Sequence, residues 1–303
     1  MTFSEFARAC GVIIDRPRAD GRIHRCPTAA HPRSRNGAYA FDGERGWVMA
    51  WDAGGETQWY RDERATEWTE DRKREWIRRR EAERREQIER NRAAAKRAEE
   101  VVSRARLGEH GYLRRKGLPK HRGLVLDEYQ TMSFDEGFGR WVERIERDVL
   151  IVPMRNLSTG ELQGVQAIWW DGSKWVKKMS PGMRAKGAVL RLGRADAGET
   201  WLCEGYATGL TVKAALERLG ADASVLVCFS DSNLVFVSER LSGRAYVFAD
   251  NDASRAGEKA AVASGKPWLM APVVGHDAND WMAAGGLLPV CAAISALRRG
   301  DAM

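Results

Sequence analysis

The chain has 303 residues and a mass of 33.9 kDa, with 44% apolar and 30% charged residues. That is room for about two ordinary domains and excludes a small disulfide-stapled module. No apolar run approaches the ~18 residues of a membrane span, so the chain reads as soluble, with no membrane partner. Lys and Arg number 49 against 42 acids, giving +7 and a pI near 9.3, which favours a polyanionic partner.

Five cysteines, Cys10, Cys26, Cys203, Cys228 and Cys291, are scattered and odd in number. With no basic and apolar leader at the start, they point to a reducing cytoplasm. Twelve Trp are an unusual load. Most are read as core or interdomain anchors, and those among basic residues are placed to stack on bases.

Residues 1–60 open with a short amphipathic segment (Phe3, Phe6, Ala7, Cys10) and continue with alternating aromatics, Tyr39, Phe41, Trp47, Met49 and Trp51. Turn signals at Asp42-Gly43 and at 52–55 make this a small β-rich module of hairpins. His24, Cys26 and His31 raise a zinc site, but a structural site wants four ligands and no Cys-x-x-Cys pair is present, so no zinc is expected. Residues 22–35 then read as a basic loop able to touch phosphate.

Residues 61–106 lack Gly and Pro and are rich in Glu, Arg and Ala, the composition of a long charged helix of roughly 70 Å. The pairs Glu70/Arg74, Glu75/Arg79, Glu81/Arg85 and Glu86/Arg90 are acid-then-base at i,i+4. Apolar positions (Trp68, Trp76, Ile77, Ile88, Val101, Val102) are too sparse for a heptad seam, so the helix reads as a spacer, and Arg78, Arg79 and Arg80 as a solvated face.

Residues 107–195 read as a mixed α+β part: a helix over 107–117, then strands at 149–154, 162–170 and 175–179 joined by turns at 156–160 and 171–174. Lys174, Lys177, Lys178, Arg184 and Lys186 form the densest basic cluster outside the helix. Residues 196–303 repeat strand and helix. Strands are expected at 201–203, 225–229, 244–249 and 268–274, and helices at 207–219, at 234–241 and from a cap at Ser254 to Gly265.

Ligands of open α/β sheets bind beyond the carboxyl ends of the strands. Glu204-Gly205 and Asp250-Asn251-Asp252 each follow such a strand directly. A single acid there is most often a cap or turn residue, yet the two groups together offer hard oxygen ligands of the kind that hold Mg²⁺.

LCEGYATG followed by VFADNDASRAG resembles the Toprim signature shared by DnaG-like primases, topoisomerases and some nucleases. With GEHGYLRRKGL, VLIVPMRNLSTGELQGVQAIW, KKMSPGMRAKGAVLRLG and GHDANDWM, residues 107–285 resemble the Toprim primase-like proteins of phages and plasmids. The segment HRCPTAAHPRSRNGAYAFDGERGWVMAW looks like their accessory module in a form without zinc ligands.

The resemblance implies an α/β fold whose Toprim-type small parallel, Rossmann-like sheet follows the mixed subdomain, the long helix and the N-terminal module. It implies a DNA primase that makes short primers on single-stranded DNA from nucleoside triphosphates, with Mg²⁺ or Mn²⁺ held by Glu204, Asp250 and Asp252. Lys177, Lys178, Arg184, Lys186, Asn233 and Asp280 match positions near nucleotide or template. The chain departs from the pattern in lacking a Cys-rich zinc ribbon and a GxxxxGK[ST] loop, so a separate helicase or replication protein is expected to supply unwinding. The same carboxylates would also serve a Toprim nuclease, and a noncatalytic nucleic-acid-binding replication factor is the reading from another class. A topoisomerase needs a nucleophilic Tyr, and none of the six is singled out by its context.

Overall fold

The computed structural model of the chain describes residues 1–53, 55–63, 65, 69–135 and 140–300. The chain divides into two compact units, residues 1–82 and 83–303. Trp68 falls outside the described residues.

In the first unit, α1 (Phe3–Ala9) begins with a capping box in which Thr2 and Glu5 satisfy each other's backbone N–H groups. The strands β1 (His24–Cys26), β2 (Gly37–Phe41), β3 (Arg45–Ala50) and β4 (Thr57–Arg61) follow in an antiparallel sheet of sequential order. Asp42 closes the β2/β3 turn by accepting the N–H groups of Glu44 and Arg45, as the Asp-Gly signal predicts. One sheet face packs on α1 through Phe3, Tyr39, Val48 and Tyr60. His24, Cys26 and His31 point to separate partners. His24 bonds Asp20 at 2.9 Å, Cys26 is buried in the core, and His31 lies 3.9 Å from Asp52.

The charged helix is α2 (Glu70–Arg104), about 50 Å long and shorter than expected, starting at Glu70 rather than at residue 61, which is the last residue of β4. The spacer reading needs correction at its C-terminal end. Ala94 and Ala98, four apart, are 1% and 2% exposed, and Ala98, Val101 and Val102 pack on Leu126, Val149, Val165 and Trp169. Small residues on one stripe let this part of the helix lie against the sheet.

In the second unit, β5 (Arg106–Gly108) and α3 (Gly111–Arg115) replace the helix expected over 107–117. His110 caps α3 by accepting the Tyr112 N–H. Next come β6 (Gly123–Asp135), β7 (Arg140–Asn156), β8 (Leu162–Trp170), β9 (Trp175–Met179) and β10 (Ala188–Leu192), then alternating strands and helices: β11 (Glu199–Cys203), α4 (Tyr206–Arg218), β12 (Ala223–Val227), α5 (Asp231–Ser238), β13 (Arg244–Ala249), α6 (Ala256–Ala263), β14 (Trp268–Met270), α7 (Ala278–Gly285) and α8 (Leu287–Arg299).

The four strands β14-β13-β11-β12 are mutually parallel. The antiparallel strand β10 then joins β12 to β7, so the parts expected to divide at residue 195 share one ten-stranded mixed sheet. The parallel strands are buried on both faces, which is why they read as continuous apolar runs. On one face Trp201, Tyr246, Phe248 and Leu269 pack with α4, α7 and α8; on the other Leu202, Leu226 and Val247 pack with α5 and α6. At the amino ends of these strands the buried Glu199 accepts from Trp201 Nε1 and pairs with Arg298 at 3.0 Å, tying α8 to the sheet. No helix among the described residues is long and apolar enough to cross a membrane.

The docking of α2 predicts that Ala98→Glu, which drives a carboxylate into the Val149/Trp169 cluster, lowers the thermal midpoint by about 5–10 °C. The exposed neighbour substitution Ala93→Glu leaves it within about 1 °C, and calorimetry of the two variants checks the difference.

Candidate active site at the ends of the parallel strands

Three turns bring the acids together. After β11 the chain passes through Glu204 and Gly205, whose extended backbone caps α4. After β12 it passes through Cys228 and Phe229 to Ser230, which caps α5 by accepting the Asn233 N–H, so that Asp231 is the first helical residue. The Phe229 N–H donates to the Glu204 carbonyl at 2.9 Å, locking two of the turns side by side. After β13 come Asp250, Asn251 and Asp252, then Arg255 and α6. Phe229 (φ +65°) and Arg255 (φ +58°) are both left-handed non-glycine residues, a conformation that the surrounding packing has to hold in place.

Asp250 is the member that folding does not explain. Its Oδ1 is buried and has no hydrogen-bond partner. Burial, with the charges of Asp277 and Asp231, pushes its carboxyl up to about 7, against the opposing pull of the Lys177 ammonium. Glu204 is pushed up to about 8 by burial and by Asp231 and Asp250, and it shares a hydrogen bond with the Asp231 carboxyl. Burial raises Asp231 as well. The backbone supports this crowding closely: a Cβ on Gly257 of α6 would sit 2.2 Å from the Asp250 carbonyl oxygen, so only glycine lets the helix start there.

Asp252 behaves differently. Burial opposes its charge, yet donors from Ser254 and from the N–H groups of Gly257 and Ala256 outweigh that and hold its pKa below the ordinary value. The N-cap residue of α6 is Arg255, not the Ser254 expected from the sequence, and its side chain makes no cap bond; Asp252 instead accepts the first N–H groups of the helix, and the Ser254 hydroxyl donates to it. Among the described residues, no three His, Cys, Asp or Glu side chains stand close enough to hold a metal ion together. The expected triad of Glu204, Asp250 and Asp252 is therefore one electrostatic cluster, in which Asp252 spends most of its oxygen lone pairs on its own helix.

The basic residues separate. Lys177 lies on β9 with its Nζ 5.5 Å from the Tyr112 ring centroid, on the side that reaches Asp250. Lys178 is on the opposite face of the strand, 5.8 Å over Trp169. Lys186 sits 4.6 Å over Phe236, at a cavity of about 470 Å³ lined also by Ser230 and Ser232. Arg184 is exposed in the loop between β9 and β10. The basic cluster expected from the sequence is thus divided, with Lys177 and Lys178 on opposite faces of β9 and Lys186 beside Phe236 of α5.

Two further expectations change. Asn233 is buried, and its amide is fully used within the fold. Oδ1 accepts from Gly187 N–H at 2.7 Å and Nδ2 donates to the Ala188 and Cys228 carbonyls at 2.8 Å. It clamps β10 to the end of β12 rather than recognising a nucleotide. Asp280 completes a capping box with Asp277 on α7 and pairs with Lys116 at 3.2 Å. Burial opposes its charge, but these partners hold its pKa low.

Asp231 and Asp277 were not singled out from the sequence. Both were within reach of it. Asp231 lies in the turn after β12 as Glu204 lies in the turn after β11, and Asp277 is in the same GHDANDWM segment as Asp280.

No family model matches the chain. Among solved structures it is similar to the catalytic core of DnaG, at 17% identity over 65% of this chain and 67% of that one, with a TM-score of 0.35.

Two outcomes follow from the geometry. With Asp250 and Glu204 raised to about 7 and about 8, the folded chain binds more protons than the unfolded chain between about pH 4 and pH 8, so stability of the metal-free protein falls as pH rises through that window. Asp250→Asn flattens the fall, raising the midpoint by a few degrees near pH 8 and hardly at all near pH 4, as calorimetry across pH will show. Gly257→Ala lowers stability by about 2–4 kcal/mol in denaturant titration, because the added methyl meets backbone that cannot yield.

Proposed function

We propose that the chain is a divalent-metal-dependent nucleotidyltransferase of the Toprim primase kind, making short primers on single-stranded DNA for a phage or plasmid. The observation that carries this reading is the unpartnered, buried Oδ1 of Asp250 within a group of crowded carboxyls whose charge Lys177 offsets only in part. The carboxyl oxygens of the cluster are hard donors, which suits Mg²⁺ or Mn²⁺, and such ions commonly take one or two carboxylates and complete their shell with water and substrate phosphates. Asp250 and Glu204 are the residues that would hold the ion. When bound, it supplies neutralisation of phosphoryl charge and activation of the attacking oxygen.

The chain's own groups do the rest. Lys177, facing Asp250, offers the cation for the phosphates of an incoming nucleoside triphosphate. Glu204 and Asp231 share a hydrogen bond beside Asp250, so binding of the ion would release protons that burial and crowding otherwise keep on these carboxyls. Asp252 remains ionised and fixes the start of α6, and with it the position of Asp250. A separate helicase or replication protein is the partner we propose for unwinding.

The test is template-dependent incorporation of labelled ribonucleotides by the purified full chain with Mg²⁺ or Mn²⁺. Incorporation is expected to fall by at least about a hundredfold in Asp250→Ala and Glu204→Gln, and Lys177→Ala is expected to act mainly through KM for the nucleotide. A folded protein that incorporates nothing on varied templates but nicks supercoiled plasmid would replace this reading with the nuclease.

A further inference from the structure

Of the helices that follow β11, β12, β13 and β14, three have their first N–H groups taken by side chains: Ser230 at α5, Asp252 at α6 and Asp277 at α7. The fourth, α4, starts from Gly205, which has no side chain to offer. The first N–H of α4 to find an acceptor is that of Gly209, which donates to the Gly205 carbonyl at 2.9 Å. Among the described residues, those of Tyr206, Ala207 and Thr208 find none, although all three residues are buried. The backbone at Gly205 is extended (φ −91°, ψ 149°), a conformation open to any residue, so the turn does not require the glycine.

Thr208 adds an independent signal. It is 0% exposed, and its Oγ1 has no hydrogen-bond partner. A helical threonine usually bonds a carbonyl three or four residues back. Here the carbonyl four back is that of Glu204, and it accepts from the Phe229 N–H instead. The hydroxyl lies against the capping position, since a Cβ on Gly205 would sit 3.2 Å from it. Valine fills the same space without an unsatisfied polar atom, so folding alone gives no reason for threonine. Backbone donors and a hydroxyl thus face the place where a capping oxygen normally sits, directly after Glu204.

We propose that the amino end of α4 seats a phosphate group of the incoming nucleoside triphosphate, one of whose oxygens replaces the missing cap oxygen and accepts from the Thr208 N–H and hydroxyl. The positive end of a thirteen-residue helix favours an anion, and a phosphate brings further oxygens for the N–H groups of Tyr206 and Ala207. Gly205, partly exposed and without a Cβ, opens the approach. The neighbouring carboxyls repel a bare polyanion, so the ligand is the nucleotide with its divalent ion, and Lys177 supplies a cation on the Asp250 side. That the phosphate belongs to a nucleotide rests on the primer-synthesis reading above; the unmet donors at α4 do not.

Isothermal titration calorimetry of the full chain with ATP in Mg²⁺, without template, tests the proposal. Thr208→Val is expected to weaken ATP binding about five- to tenfold, and Thr208→Ser, which restores the hydroxyl, to bind within about twofold of wild type. The thermal midpoint of Thr208→Val stays at or above that of wild type, because valine leaves no buried hydroxyl unpaired. In ¹H–¹⁵N spectra the amide protons of Ala207 and Thr208 move downfield as ATP saturates. Equal ATP affinity of wild type and Thr208→Val overturns the proposal, as does an equal loss in Thr208→Ser, or amide protons of Ala207 and Thr208 that stay in place. A Thr208→Val loss that appears for single-stranded oligo(dT) and not for ATP gives the seat to the strand and equally overturns it. ATP binding here needs neither template nor turnover. A Thr208-dependent affinity therefore stands where primer synthesis fails, and primer synthesis with a Thr208-independent affinity removes this seat alone.

Discussion

Carboxyl groups that are buried beside one another repel, and in the absence of a cation the second unit accommodates that repulsion by keeping protons on the groups. Glu204 shares a hydrogen bond with Asp231, the charge of Asp277 acts against that of Asp250, and burial pushes Glu204 up to about 8 and Asp250 up to about 7. Each comes from a different turn, so the repulsion acts between segments far apart in sequence. The backbone bond from Phe229 to Glu204 and the tight seat of Gly257 on the Asp250 carbonyl hold those turns together against it. The rest of the unit reads as support for this crowding: a sheet buried on both faces, with Asn233 clamping β10 and Glu199 anchoring α8 at the far end.

The parallel part of the sheet was legible because its strands need continuous apolar sequence and its helices need periodic apolar faces. The strand over 244–249 is observed at the residues the sequence marked, as are the two at 162–170 and 175–179. β6 and β10 were missed for physical reasons. β6 runs far past its core-facing half into alternating polar sequence, and β10 is a five-residue strand embedded in a basic loop whose partners, β7 and β12, are distant in the chain. α2 was legible as a helix from composition, but its docking rests on two alanines, which have helix-forming value anywhere and announce no partner.

The site was legible in its location and less so in its membership. The rule that ligands bind beyond strand carboxyl ends selects Glu204 and Asp250 and, applied to β12, would have selected Asp231. It cannot separate an acid that caps from an acid left without a partner, because both occupy the same place in sequence. Nor can it place lysines. Lys177 and Lys178 are adjacent in sequence, yet strand alternation sends them to opposite faces, one toward Asp250 and one over Trp169.

Hydrogen-bond accounting makes the separation that sequence cannot. Asp252, Asp277 and Asp280 each accept backbone N–H groups at the start of a helix or complete a capping box, so the needs of α6 and α7 account for their presence. Asp250 Oδ1 accepts nothing, in a setting where burial and neighbouring charge both disfavour its ionised form. A neutral isostere there would relieve repulsion at almost no loss of hydrogen bonding, so a sequence selected only for folding would have little reason to keep the acid. Asp250 is a place where the fold carries a cost it does not recover internally, and such a place marks where something other than folding fixed the residue.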